Sequence, residues 1–299
     1  MEKVELLLGA LKELSEYEEL LAAARDGTSA AVTGVSQINR SHLIAALAVH
    51  TDRPLAVICQ DDMAAKRLSR ELEDFLGSAP PVLPGRDLTL HDTGVVSRDW
   101  EQRRLSQLYA LGRGETRLQV LSWEALSYHT MPPRALYSAA FTLHVGMEES
   151  LTDLTARLTA AGYSRCSMVE GPGQFALRGD ILDVFSPGSP DPIRAEFFGD
   201  ELDTMGRFDP NTQRRSENVS EAVILPVAET LTRLSPGGNE GLAQQLEKLI
   251  ARQKRRKTPN ETLIRTLETD REKIFQGLSF PAADRYMALI YPESATALD

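Results

Sequence analysis

Pro54-Leu55-Ala56-Val57-Ile58-Cys59, followed at once by the run from Asp61 to Leu76, decides the fold. The first stretch is a short apolar run behind a proline and reads as a buried strand. In the second, Met63, Leu68, Leu72 and Phe75 recur at helical spacing. Asp61-Asp62 at its head fits a helix cap better than a catalytic carboxylate pair. The same strand-then-helix order extends to both sides. Upstream, Ala30-Ala31-Val32-Thr33-Gly34 reads as a buried strand and Ser41–His50 as the helix after it. Downstream, Val82-Leu83 runs into a Pro-Gly turn, Arg98–Leu111 is helical and Leu118–Leu121 is another strand. Such alternation implies βαβ units and a mostly parallel sheet. Ahead of it, residues 3–26 read as one amphipathic helix, with Leu7, Leu11, Leu14 and Leu21 in phase and Gly27 as its stop.

The texture changes near Ser138. Phe141–Val145 alternates as a half-exposed strand, and Glu149–Ala161 reads as a short helix. Phe175–Leu177, Ile181–Phe185, Ile193–Phe198 and Met205–Phe208 then form short strands separated by Gly-, Pro- and Asp-rich turns, the pattern of an antiparallel meander. Further on come an apolar strand at Ala222–Val227, a Pro-Gly-Gly linker at 236–238 and one long charged helix from Glu240 to about Phe275. The expected fold is α/β: a parallel, degenerate P-loop-like sheet domain with a smaller inserted α+β domain. Its expected segments are an N-terminal helix at 1–27, the α/β domain at 28–133, the insert at 134–215 and the rest of the α/β domain at 216–299.

In 299 residues, 42% are hydrophobic and 25% charged, a globular composition that excludes a disordered chain. A net charge of −10 argues against wrapping nucleic acid through the overall field. Cys59 and Cys166 are the only cysteines, and neither sits in a CxxC pair, so no disulfide framework or thiolate metal site is expected. Without a long apolar run or a basic leader, the expectation is a cytoplasmic chain with no membrane partner.

Gly34-Val35-Ser36-Gln37-Ile38-Asn39-Arg40-Ser41 stands where a nucleotide-binding loop would. The intact pattern needs a second glycine to let the backbone curl round the phosphates, then a lysine for their oxygens and a Ser or Thr for Mg²⁺. Gly34 and Ser41 stand in register, but Asn39 replaces the glycine and Arg40 the lysine, and the two cations are not equivalent. The expectation is a vestigial loop with no cofactor in this chain. His42, His50, His91, His129 and His144 show no metal spacing, so no metal site is expected. No catalytic triad or carboxylate pair stands out, and Trp100 and Trp123 read as core or interdomain packing. Lys254-Arg255-Arg256-Lys257 reads as a solvated helix face, with DNA contact as the other reading.

The two-residue period divides Ile193–Phe198: Ile193, Ala195 and Phe197 face the core, while Arg194, Glu196 and Phe198 face outward. An outward Phe beside an Arg has the composition of an interface anchor. Arg178, at the turn of the preceding hairpin, is placed to join them. The plainer reading packs Phe198 under a loop and pairs the arginines with Asp183 and Glu196 as surface bridges, each worth under about 1 kcal/mol. The insert holds 8 Arg against 12 Asp and Glu, a balance of −4 that favours a protein partner over nucleic acid.

The blocks Phe175–Phe185 and Pro192–Leu202, with Arg207-Phe208-Asp209-Pro210 and Thr212-Gln213 after them, resemble the region shared by the bacterial repair protein UvrB and the transcription-repair coupling factors. Leu278-Ser279-Phe280-Pro281 and Tyr291-Pro292-Glu293-Ser294-Ala295 look like the later part of the coupling factors' N-terminal module. UvrB keeps a working nucleotide loop and the coupling factors have lost it, so the degenerate loop favours the latter. The resemblance implies a non-catalytic fragment that recruits UvrA through positions matching Arg178, Arg194 and Phe198. It also implies that other domains of the parent bind RNA polymerase and double-stranded DNA, that its translocase motor uses ATP and Mg²⁺, and that a C-terminal domain masks the UvrA surface until the motor engages. The alternative is a UvrB-like, ATP-dependent damage-verification subunit.

Overall fold

A computed structural model describes residues 2–86, 99–278, 281–293 and 295–299; His91, Arg98, Ser279, Phe280 and Ser294, which the sequence reading used, lie outside them. The chain folds as two compact units, Met1–Arg86 with Ala110–Tyr128, and Asp87–Tyr109 with His129–Asp299.

In the first unit, the expected N-terminal helix is two: α1 (Glu2–Gly9) and α2 (Ser15–Asp26), joined by a 3-10 turn at Ala10–Glu13. Gly9 is a weak helix former and Leu14 is extended, so the helical phase is reset between them. Leu7 and Leu14 are consequently exposed, while Leu8, Tyr17 and Leu21 are buried. Gly27 ends α2 in the left-handed conformation, at φ 69°. After α3 (Gln37–His50) come β1 (Leu55–Cys59), α4 (Asp62–Leu76) and β2 (Val82–Leu83). Asp61 caps α4 by accepting a hydrogen bond from the Ala64 amide at 2.7 Å. Helix α5 (Asp99–Gly112) passes from the second unit into the first at Ala110 and is followed there by β3 (Leu118–Ser122) and α6 (Trp123–Ser127).

The three strands form a parallel sheet in the order β1-β3-β2. Leu55, Val57, Leu118 and Val120 pack with Ala45, Ala65 and Leu72 of the helices. The strand expected at Ala30–Gly34 is not formed, and those residues are exposed. Two alanines have little β-propensity and offer little apolar area to bury. Trp123, expected in packing, is 62% exposed.

The second unit adds α7 (Pro133–Ala139), β4 (Phe141–His144), α8 (Leu151–Ala160) and the strands β5 (Ser164–Arg165), β6 (Gln174–Arg178), β7 (Ile181–Val184), β8 (Ile193–Phe198), β9 (Glu201–Phe208) and β10 (Arg215–Asn218). Strands β5 to β10 form one sheet in the order β10-β9-β8-β7-β6-β5, antiparallel except where β5 meets β6. Leu154 and Leu158 of α8 lie in the core on its inner face with Phe175, Leu182, Ile193, Ala195 and Phe197. Strand β11 (Glu221–Ile224) pairs antiparallel with β4, so the chain beyond residue 215 completes this unit rather than returning to the parallel sheet. The expected division at 215/216 is thereby corrected.

The single long helix expected from Glu240 is also two, α9 (Gly238–Lys254) and α10 (Glu261–Phe275), before the short α11 (Met287–Ile290). Pro259 interrupts helical hydrogen bonding, and the Asn260 side chain starts α10 by accepting from the Leu263 amide at 3.0 Å. The two helices run antiparallel and bury Leu242, Leu246, Ile250, Ile264, Leu267 and Ile274 in a common core.

Candidate functional site

Strand β8 is buried at Ile193, Ala195 and Phe197 and open at the alternate positions, as the two-residue period requires. Phe198 is 83% exposed, so the reading that packs it under a loop fails. It faces outward at the end of β8, opposite Glu201 of β9. Exposure of a whole phenyl ring sacrifices about 2 kcal/mol of available burial, which nothing in the fold returns.

Arg178 and Arg194 meet at one carboxylate. In register, Asp183 of β7 stands opposite Arg194 of β8, and Arg178 ends the neighbouring β6. Arg194 grips Asp183 with a fork, Nε to Oδ1 at 2.7 Å and Nη2 to Oδ2 at 2.9 Å. Arg178 Nη2 donates to the same Oδ2 at 2.5 Å. The Asp183 side chain is 1% exposed, that of Arg194 18% and that of Arg178 46%. The Asp183 hydrogen bonds push the Arg194 pKa further above its already high value, so this cation persists at every working pH. Its guanidinium also covers the Phe208 ring at 4.5 Å and donates to the Gln213 carbonyl at 3.2 Å. Arg194 is therefore fixed on four sides, whereas Arg178 is anchored at one nitrogen and keeps donors facing solvent.

The plainer reading had one part right, the pairing with Asp183, and one part wrong. Glu196 is held by Arg215 at 3.0 Å, not by Arg178 or Arg194. Sequence reading did not foresee that Asp183 organises both arginines; the signal was its place on the same face as Arg194 and directly opposite it, with Ala176 as its partner on the other flank and Arg178 two residues further along β6. Asp183→Ala is expected to lower stability by about 2–3 kcal/mol, read by urea denaturation. Breaking a fully buried pair costs about 3–5 kcal/mol, and the Arg178 share is discounted because that side chain is half in water.

The loop at Gly34–Ser41 is built differently from a phosphate cradle. Gly34 is left-handed at φ 79°, but α3 already begins at Gln37, with Ser36 as its extended cap residue. The Asn39 amide donates to the Ser36 carbonyl at 3.0 Å, so it is spent on the helix. Asn39 and Arg40 are exposed on the first turns, and Ser41 is buried. His42 bonds the Leu7 carbonyl at 3.0 Å and His50 the Tyr17 hydroxyl at 2.9 Å. Among the described residues, no three His, Cys, Asp or Glu side chains converge as metal ligands, and no helix is long and apolar enough to cross a membrane.

Comparison with known proteins finds likenesses to this sheet and to the chain around it. Residues 141–229 match the UvrB interaction domain, a range that begins at β4 and runs just past β11. The chain is 27% identical over 297 residues to the transcription-repair-coupling factor of Bacillus subtilis, covering 97% of this chain and 25% of that protein. It is 33% identical over 224 residues to that of Myxococcus xanthus, covering 72% and 19%. It is 30% identical over 187 residues to that of Escherichia coli, covering 62% and 16%. The chain thus spans at most a quarter of the length of these relatives.

Proposed function

We propose that this homologue of the transcription-repair-coupling factors, carrying a UvrB interaction domain, is a non-catalytic docking module that recruits UvrA through Phe198, Arg178 and Arg194. The observation that carries the reading is the exposed Phe198 ring on the same strand as Arg194, which a buried carboxylate holds together with Arg178. Interface energy concentrates in aromatic and Arg side chains, and it is greatest when they need no reordering on contact. Arg194 is already ordered, and Arg178 offers free donors to an acidic group on the partner. Calorimetric titration of UvrA into this chain and into an Arg178→Ala/Arg194→Ala/Phe198→Ala variant tests it. Loss of binding in the variant supports the reading, and equal affinities would refute it.

In the same reading, the chain supplies the repair end of a longer protein whose other parts engage RNA polymerase and double-stranded DNA and spend ATP with Mg²⁺ on translocation. In this reading no nucleotide acts within these residues; in support, α3 already begins at Gln37 and the Asn39 amide is spent on the Ser36 carbonyl. A UvrB-like, ATP-dependent verification subunit would need that loop to work. Titration with a fluorescent ATP analogue and Mg²⁺ is expected to show no saturation at micromolar nucleotide; saturation abolished by Arg40→Ala would reinstate an enzyme.

A further inference from the structure

The basic run Lys254-Arg255-Arg256-Lys257 is not a helix face. It occupies the turn where α9 ends and the chain reverses into α10. Lys254 is consumed by Glu268 at 2.7 Å, and Glu247 faces Arg271 at 3.8 Å, so two neighbouring carboxylates are already engaged. Lys248, Arg252, Arg255, Arg256 and Lys257 are all exposed and have no ion pair among the described residues. The nearest hydrogen bond to them is a long one, Arg256 Nη1 to Gln253 Oε1 at 3.5 Å.

Helix polarity accounts for part of the cluster, since cations near a C-terminus are favoured. It accounts for Arg252, within the last turn of α9, and for Arg255, its C-cap residue, but not for the gathering of Arg255, Arg256 and Lys257 in succession past the last helical residue. Those three repel one another in a chain whose overall charge is −10. Lys248, Arg252 and Arg255 recur at i, i+4 and i+7, so they share one side of α9 over roughly 10 Å at about 1.5 Å per residue. A line of cations that ends in a charged tip matches a line of anions better than one compact anion.

We propose that the tip of the α9–α10 hairpin contacts the phosphate backbone of double-helical DNA, with Arg255, Arg256 and Lys257 as its centre and Lys248 and Arg252 along the approach. The choice of duplex DNA rests on the coupling-factor reading above; the unpaired charge does not. The contact proposed is to phosphate oxygens, which carry no sequence information.

The test is fluorescence anisotropy of a labelled 30-base-pair duplex with the 299-residue chain between 25 and 200 mM salt. The wild-type chain is expected to bind, with log K falling linearly against log salt concentration. Arg255→Ala/Arg256→Ala/Lys257→Ala should make that slope shallower by about 3, at roughly 0.9 per phosphate contact, and weaken binding at least tenfold at 50 mM salt. All three residues are exposed, so the fold should survive, and retained UvrA affinity in the triple variant separates this surface from the one at Phe198. Phe198→Ala should leave duplex binding unchanged. Absence of duplex binding at 25 mM salt, or an unchanged slope in the triple variant, would overturn the proposal. Tighter binding of polyglutamate than of the duplex would overturn it in favour of an acidic protein.

Discussion

Phe198→Ala is expected to weaken UvrA binding by at least about thirtyfold while leaving the unfolding transition where it was. The stability half follows from exposure: a ring that is 83% open contributes little burial to the fold, and β8 keeps its hydrogen bonds when the side chain is cut back. The affinity half follows from what a docking partner gains. Desolvating a phenyl ring in a complementary pocket is worth about 2 kcal/mol or more at an anchor position, which is about thirtyfold in Kd. Arg194→Ala should differ in kind. It removes a cation that holds Asp183 and covers Phe208, so affinity and stability should fall together. Titration calorimetry and thermal melts of both variants separate the two effects. Equal UvrA affinity for wild type and Phe198→Ala would move the anchor elsewhere, and a lowered melting temperature for that variant would show the ring to be part of the fold.

The β-sheet part of this surface was legible because its determinants are local. Alternation along Ile193–Phe198 fixes which side chains face out, and the Gly-Asp turns fix where each hairpin reverses. The helices were harder. Helical spacing reads continuously across 3–26 and 240–275, but each span contains a break that periodicity does not register, and across the first the phase is lost, leaving Leu7 and Leu14 exposed. Gly9 and Ser15 mark the first, and Pro259-Asn260 marks the second. Capping chemistry divides the second, where Asn260 accepts from the Leu263 amide, but not the first, where Leu14 stands at the cap of α2 without a side-chain bond. The absent strand at Ala30–Gly34 came from expecting a nucleotide-loop layout where the side chains supply too little apolar area. What no local pattern gives is the partner of a buried charge. Asp183 is three residues from a hairpin turn and reads as solvent-facing until the sheet puts Arg194 opposite it and the Arg178 side chain reaches it diagonally from β6.

Glu229→Gln should be the most damaging single substitution in the second unit, costing about 3–5 kcal/mol of stability. Glu229 and Arg104 are both fully buried, with Arg104 Nε 2.7 Å from Glu229 Oε1. The other carboxylate oxygen accepts from the Thr130 hydroxyl at 3.0 Å, and the Glu229 amide donates to Glu101 Oε1 at 2.8 Å. Its carbonyl accepts from the Tyr291 hydroxyl at 2.9 Å. One residue thus ties α5, the chain before α7 and the segment after α11 to the end of the UvrB interaction domain. A side-chain amide in place of the carboxylate would keep the volume and lose the charge, removing from the Arg104 guanidinium a counterion 2.7 Å away in a low-dielectric interior. The melting temperature should drop by roughly 10 °C, at about 2–4 °C per kcal/mol for a unit of this size. Arg104→Met combined with Glu229→Leu removes both charges, so the pair should be less destabilising than the sum of its single substitutions. Strict additivity in that cycle, or a loss under about 1 kcal/mol for Glu229→Gln, would show that the buried pair does not hold these segments together.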